Sequence, residues 1–179
     1  ADNLIIVLAT CGIAIPSFIS SVVLLYTFGM NLKILPTVGL NEPAAYIMPV
    51  TALAIYPTAY ITRLMRSSLL DVMGQDYMRT ARAKGLSEHT VIYKHAFRNT
   101  LIPLVTIIGG SLPGLFSGAL ITETLFSIPG IGYISYQSMV AGDIPFTMFY
   151  LSFMAVLTLV SNLLTDIMYA VVDPRVRIS

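Results

Sequence analysis

The sequence predicts an all-α, polytopic membrane protein with about four transmembrane helices and a cytoplasmic helical hairpin between the second and third. Three observations predict it. Of 179 residues, 56% are hydrophobic against about 45–50% in soluble domains, and the mean hydropathy is +0.81. Only 11% are charged, where about 25% is usual. Those charges are also gathered, and the gaps between them match the roughly 20 apolar residues a helix needs to cross about 30 Å of hydrocarbon. The same figures exclude a soluble globular domain and a disordered chain. Cys11 stands alone, which excludes a disulfide scaffold, and a net charge of +1 offers no basic surface for nucleic acid.

Span one is Leu4 to Phe28, interrupted by Gly12 and Pro16. Span two is Pro43 to Thr62, and Pro49 and Pro57 inside it predict a kinked helix. Span three is Asn99 to Thr122 and span four Ile144 to Thr165, both free of charge. Residues 124–142 are uncharged too, but Ser127, Pro129, Gly130, Gly132, Ser135, Gln137 and Ser138 make them a loop with a short interfacial or re-entrant helix. Seven of the ten Lys and Arg lie between Arg63 and Arg98, and Arg175 and Arg177 follow span four. The positive-inside rule therefore places residues 63–98 and both termini in the cytoplasm, with residues 29–42 and 126–145 outside. The first residue is Ala1, and neither a basic n-region nor a small-residue cleavage site marks a signal peptide, as expected of a fragment. No linker divides residues 1–179, which read as one transmembrane domain with the hairpin, residues 71–98, inside it.

The hairpin reads as a helix over 71–84, a turn at Gly85, and a second helix from Glu88 to about Arg98. Glycine suits a C-terminal cap at positive φ, Ser87 an N-cap, and Glu88 the first turn of the second helix, while Leu86 and Val91 have staple spacing. A helix-turn-helix DNA reader shares Ala81, Gly85 and Val91 with this pattern. It would need apolar residues where Thr80, Lys84 and Lys94 stand, and it would not be tethered at both ends to membrane spans. A compact knob that fits a partner's groove accounts for both the order and the small side chains.

The run Tyr77-Met-Arg-Thr-Ala-Arg-Ala-Lys-Gly85-Leu, followed by His95-Ala-Phe-Arg-Asn-Thr-Leu-Ile-Pro103, resembles the cytoplasmic loop of ABC importer permeases, most closely the dipeptide and oligopeptide branch. Glu123-Thr-Leu-Phe-Ser-Ile-Pro-Gly-Ile-Gly132, Asp143-Ile-Pro145, Asn162-Leu-Leu-Thr-Asp166, Asp173-Pro-Arg-Val-Arg177 and Ile15-Pro-Ser-Phe18 are similar as well. The general importer loop reads Glu-Ala-Ala-x-x-x-Gly, whereas Arg79, Thr80 and Ala81 stand at its first three positions here, a departure that matches the peptide branch. The resemblance implies a coupling helix made of Arg79, Thr80, Ala81, Arg82, Ala83, Lys84, Gly85, Leu86 and Ser87 that docks on an ATP-binding subunit. It further implies two ATP-binding cassette subunits, a second and paralogous permease subunit, an extracytoplasmic peptide-binding protein, and a place in the bacterial inner membrane. Permeases of this family carry two more spans ahead of the first one here. Nickel or glutathione import by the same family is the neighbouring expectation, and an ion-coupled secondary transporter the one from another class.

Gly110, Gly114 and Gly118 recur every fourth residue in span three, a small-xxx-small face that fits a packing seam, either sliding or static. Pro113 predicts a local bend beside it. Glu123 and Asp166 are the carboxylates nearest the bilayer interior, candidate gate charges whose plainer role is structural: an anchor for the outer loop, and a partner for Arg63 or Arg66. His89 and His95, six apart on one short helix, face different ways and predict no metal site. No phosphate-binding glycine loop and no catalytic triad occurs, so no cofactor and no enzymatic activity are expected in this chain; ATP belongs to partner subunits. The tyrosines near the outer boundary, Tyr26, Tyr46, Tyr133 and Tyr136, read as an interfacial belt.

Overall fold

The computed structural model describes residues 2–172, and all regular structure among them is helical. The tail motif Asp173 to Arg177, with Arg175 and Arg177, lies outside the described residues. Among the described residues, three helices are long and apolar enough to cross a membrane: Pro43–Met73, Glu88–Ser117 and Ile144–Met168. A fourth candidate is a pair of helices joined at a sharp bend, so four spans are counted when the pair is taken as one. The chain's contacts gather into two compact units, Ala1–Tyr60 with Pro113–Leu157, and Ile61–Leu112 with Thr158–Ser179.

In the first unit, α1 (Asp2–Ala14) and α2 (Ser17–Leu24, continued by π-helical turns over Leu25–Asn31) occupy the stretch expected to be span one, bent by 98° between them. The bend follows from Pro16, which clashes with a helical Ile15 and itself sits at φ −59, ψ 144. Its carbonyl restarts the helix by accepting from the amides of Ile19 (3.0 Å) and Ser20 (3.2 Å). Gly12 lets α1 approach the next long helix: a methyl there would lie 2.8 Å from Ala59 Cβ.

That helix, α3 (Ile47–Met73), is entered through a 3-10 turn at Pro43–Tyr46 and runs unbroken through Pro57. It extends beyond Arg63 by three turns, so residues 71–73, expected in the hairpin, belong to α3. Leu69, Val72 and Met73 supply the reason, since they pack on the hairpin's buried core and prolong the helix to reach it. Gly74 and Gln75 then form a turn, with the Gln75 amide bonded to the Val72 carbonyl at 3.1 Å.

In the second unit, α4 (Asp76–Ala83) and α5 (Glu88–Thr90, continued by π-helical turns over Val91–Ala96) form the hairpin, and α5 passes without a break into α6 (Phe97–Ser117). The expected end near Arg98 is absent because nothing in His95-Ala-Phe-Arg-Asn-Thr interrupts a helix. Gly109 is the tight point of α6: a side chain there would overlap Thr165 of α9 (Ile144–Val172).

Back in the first unit, α6 stops at Ser117, five residues before the expected end of span three. Gly118 has φ +81, and its backbone lies so close to the Gly132 amide that a Cβ would collide with it. Only glycine meets both conditions. Two short helices follow, α7 (Leu120–Leu125) and α8 (Ile131–Val140), in agreement with a loop carrying a short helix rather than a fifth span. Asp143 then caps α9, accepting from the Phe146 amide at 3.1 Å, with Pro145 in the first turn where a missing N–H is harmless.

Among the described residues, no atom outside the helix's own nearby backbone comes within 4 Å of a Cβ placed at Gly110 or Gly114, and Gly118 lies outside the helix. Within α6, the glycine that meets a neighbouring helix among the described residues is Gly109. Gly109→Val should lower the melting temperature of the detergent-solubilised protein, at a cost of about 1–3 kcal/mol from overpacking, while Gly110→Val should leave it near the parent's. A larger loss at Gly110 would reverse this assignment.

Candidate functional site

The hairpin is built on four fully or nearly buried side chains, Met78, Ala81, Val91 and Ala96, backed by Leu69, Val72 and Met73. Met78 and Ala81 face inward from α4 because they stand three apart, on one side of a helix. Ala81 is therefore part of the knob's interior, not of its outer surface. Arg79, Thr80, Arg82, Ala83, Lys84, Gly85, Leu86 and Ser87 are exposed and form one contiguous polar and basic tip.

Both sides of the turn are capped. Lys84 and Gly85 close α4 by donating to the carbonyls of Thr80 (3.1 Å) and Arg82 (2.9 Å). Gly85 has φ +75 with open space around it, so conformation, not crowding, demands glycine there. Ser87 starts α5: its Oγ accepts from the Thr90 amide at 3.4 Å and lies 3.0 Å from the Thr90 hydroxyl.

Two polar links were not foreseeable from motif reading. Across the turn, Arg82 holds Glu88 with both arms of its guanidinium, Nη2 to Oε1 at 2.9 Å and Nε to Oε2 at 3.2 Å. At the base of the hairpin, Asn99 Nδ2 donates to the Tyr77 hydroxyl at 2.9 Å and to the His95 carbonyl at 3.2 Å. The first joins residues six apart and the second residues twenty-two apart, spacings that match no single-helix pattern. Arg79 lies 3.5 Å from Asp76 with both side chains largely in water, a pair of little energetic weight.

The Arg82 hydrogen bonds hold the Glu88 carboxyl below its usual range, with partial desolvation opposing and the guanidinium charge assisting; Arg82 is raised in return. A lowered carboxyl pKa stabilises the fold at neutral pH, and that contribution is lost as pH falls through the folded-state value, below the ordinary carboxylate range. A spin label at position 84, in a Cys11→Ser background, should therefore gain mobility on acidification, and Glu88→Gln should already be mobile at neutral pH. Equal mobility in parent and variant at pH 7 would show that the clamp does not order the tip.

Among the described residues no group of His, Cys, Asp and Glu could hold a metal ion, and His89 is stacked on Tyr93 with ring centres 4.5 Å apart. Asp166 is exposed on α9. Glu123 is half-buried and accepts two backbone hydrogen bonds, from Ala119 at 2.9 Å to Oε1 and from Tyr133 at 2.7 Å to Oε2. One carboxylate thus serves the first residues of both α7 and α8, where the helix dipoles also favour its charge. Gly130 packs directly against it, where a Cβ would collide with the carboxylate, and Gly132 is nearly as close. The spacing Glu123…Gly130-x-Gly132 is thus the mould of one side chain. Beside it lies an open pocket of about 340 Å³ lined by Glu123, Thr124, Ser127, Ile128, Pro129 and Tyr133. Glu123→Gln presents an N–H₂ where an acceptor is needed, and should cost about 1–3 kcal/mol. Faster proteolysis between residues 125 and 131 is the expected readout, and parent-like resistance would exclude the anchor role.

Apolar spanning helices joined by a packed hairpin define a polytopic membrane protein. The chain belongs to the family described as binding-protein-dependent transport system inner membrane component, which matches residues 1–178. It is 43% identical over 177 residues to the dipeptide transport system permease protein DppB of Lactococcus lactis subsp. cremoris (strain MG1363), covering 99% of this chain and 58% of that protein. It is 40% identical over 171 residues to DppB of Bacillus subtilis (strain 168), covering 96% and 56%. The oligopeptide transport system permease protein AppB of the same organism is 39% identical over 176 residues, covering 93% and 56%. The chain thus spans less than three-fifths of the length of these relatives.

Proposed function

We propose that this chain is part of a permease subunit of an ATP-driven importer, forming a portion of the path for short peptides and coupling to separate ATP-binding subunits. The observation that carries the proposal is the hairpin: a packed knob, capped on both sides of its turn, whose exposed tip of Arg79, Thr80 and residues 82–87 is mostly polar and basic while its root is an apolar spanning helix. Such a knob can be seated in a groove of another protein and pushed without deforming. Peptides are the substrate class because the relatives named above are dipeptide and oligopeptide permeases. The near absence of fixed charge along the spans suits a path that passes variable side chains without holding them.

On this reading the hairpin and the termini lie in the cytoplasm, which the clustering of Lys and Arg supports. The assembly is a paralogous second permease subunit, two ATP-binding cassette subunits and an extracytoplasmic peptide-binding protein. The chain itself supplies no chemistry: closure of the ATP-binding subunits moves the knob as a rigid body, and the spanning helices follow.

The test uses the complete transporter in proteoliposomes. Gly85→Trp should lower the peptide moved per ATP hydrolysed by about tenfold while the subunit still inserts and assembles, because a bulky residue at φ +75 distorts the docking tip. Unchanged coupling would overturn the docking role, and transport driven by a proton or sodium gradient without ATPase subunits would overturn the importer reading.

A further inference from the structure

The hairpin is joined unequally to its two neighbours. Toward α3 the chain is broken at Gly74 and Gln75, where Gln75 leaves the helical region at φ −74, ψ 151. Toward α6 the helix is unbroken from Glu88 to Ser117. The hairpin therefore runs as unbroken helix into a spanning helix on one side only.

The unbroken side has its own weak point, since Val91–Ala96 is π-helical, a widened turn that often marks a functional site. One hydrogen bond bypasses it. Tyr77 sits on α4, before the turn, and Asn99 on α6, beyond the π-helical segment; Asn99 Nδ2 donates to the Tyr77 hydroxyl at 2.9 Å and also to His95 O at 3.2 Å. The amide thus ties α4 and the π-helical segment to the first turn of α6. Buried Met78, adjacent to Tyr77, seats that end of α4 in the hairpin core.

Resting on the coupling role proposed above, we infer that Tyr77 and Asn99 are positioning residues that lock the hairpin to α6, so that displacement of the tip is delivered to α6. Neither belongs to the exposed docking tip, and neither need touch a partner. Their function is to remove the slack that the π-helical turns would otherwise introduce.

The experiment measures peptide moved per ATP hydrolysed by the complete transporter in proteoliposomes, together with recovery of the ATP-binding subunits on purification. Tyr77→Phe, which removes one hydrogen bond, and Asn99→Leu, which removes that bond and the one to His95, should each lower the ratio by at least about threefold to tenfold, with the ATP-binding subunits recovered normally. The double variant should be no worse than Asn99→Leu alone. Asn99→Asp keeps an acceptor for the Tyr77 hydroxyl while losing the bond to His95, and should stay near the parent ratio even where Asn99→Leu fails to assemble. If Tyr77→Phe leaves the ratio unchanged, or Asn99→Asp falls as far as Asn99→Leu, the lock is refuted. Gly85→Trp run in parallel separates the two ideas: uncoupling there with normal Tyr77→Phe refutes the lock alone, whereas normal coupling in Gly85→Trp removes the docking role on which it rests.

Discussion

A backbone amide or carbonyl left without a partner in hydrocarbon costs several kcal/mol, and three departures from a straight helix among the described residues show how that cost is met. At Pro16 the helix breaks where the residue has no N–H to satisfy, and the proline carbonyl at once accepts two amides of the next helix. At Ser117 the hydroxyl bonds the Gly114 carbonyl, while the Ser117 carbonyl accepts from the Tyr150 hydroxyl at 3.0 Å. At the start of α9 the Asp143 carboxylate takes an amide of the first turn. Breaks in spanning helices occur where a side chain or a proline has already paired the exposed groups.

Much of this was legible in the residues themselves. Charge-free intervals located the spans, and the serine and glycine content of residues 124–142 marked a loop with a short helix. Gly85 and Ser87 marked the turn, because caps depend on residue type within a few positions. The angle at Pro16 was not legible, since the same dipeptide is compatible with a mild kink or a 98° bend and only packing decides between them. The four-residue glycine period from Gly110 to Gly118, which runs past the end of α6, said nothing about what lies opposite. Within this chain it is Gly109, outside that period, that meets Thr165. Helix ends near Met73 and Ser117 were misplaced for a related reason. The first is set by apolar contacts with the hairpin core, the second by the approach of Gly132, and neither contact is local in sequence.

The candidate site shows the same division. Its outline could be read from short-range chemistry, but its side-chain links Arg82–Glu88 and Tyr77–Asn99 join pairs that only the turn brings together. The burial of Ala81 likewise follows from its position on the face of α4 shared with Met78, not from its neighbours in the run Arg-Thr-Ala-Arg. A motif written as a string of residues mixes those that face a partner with those that hold the string in shape.

The single carboxylate shared by α7 and α8 has a consequence for how the outer loop tolerates change. Because Glu123 bonds the amides of Ala119 and Tyr133 at once, the starts of both short helices depend on one side chain, and residues 119–133 should order or melt together. Such a segment can be transplanted whole between related chains or lengthened beyond its far end at Ala141 and Gly142. An insertion between Glu123 and Tyr133 would instead sever both attachments in one step.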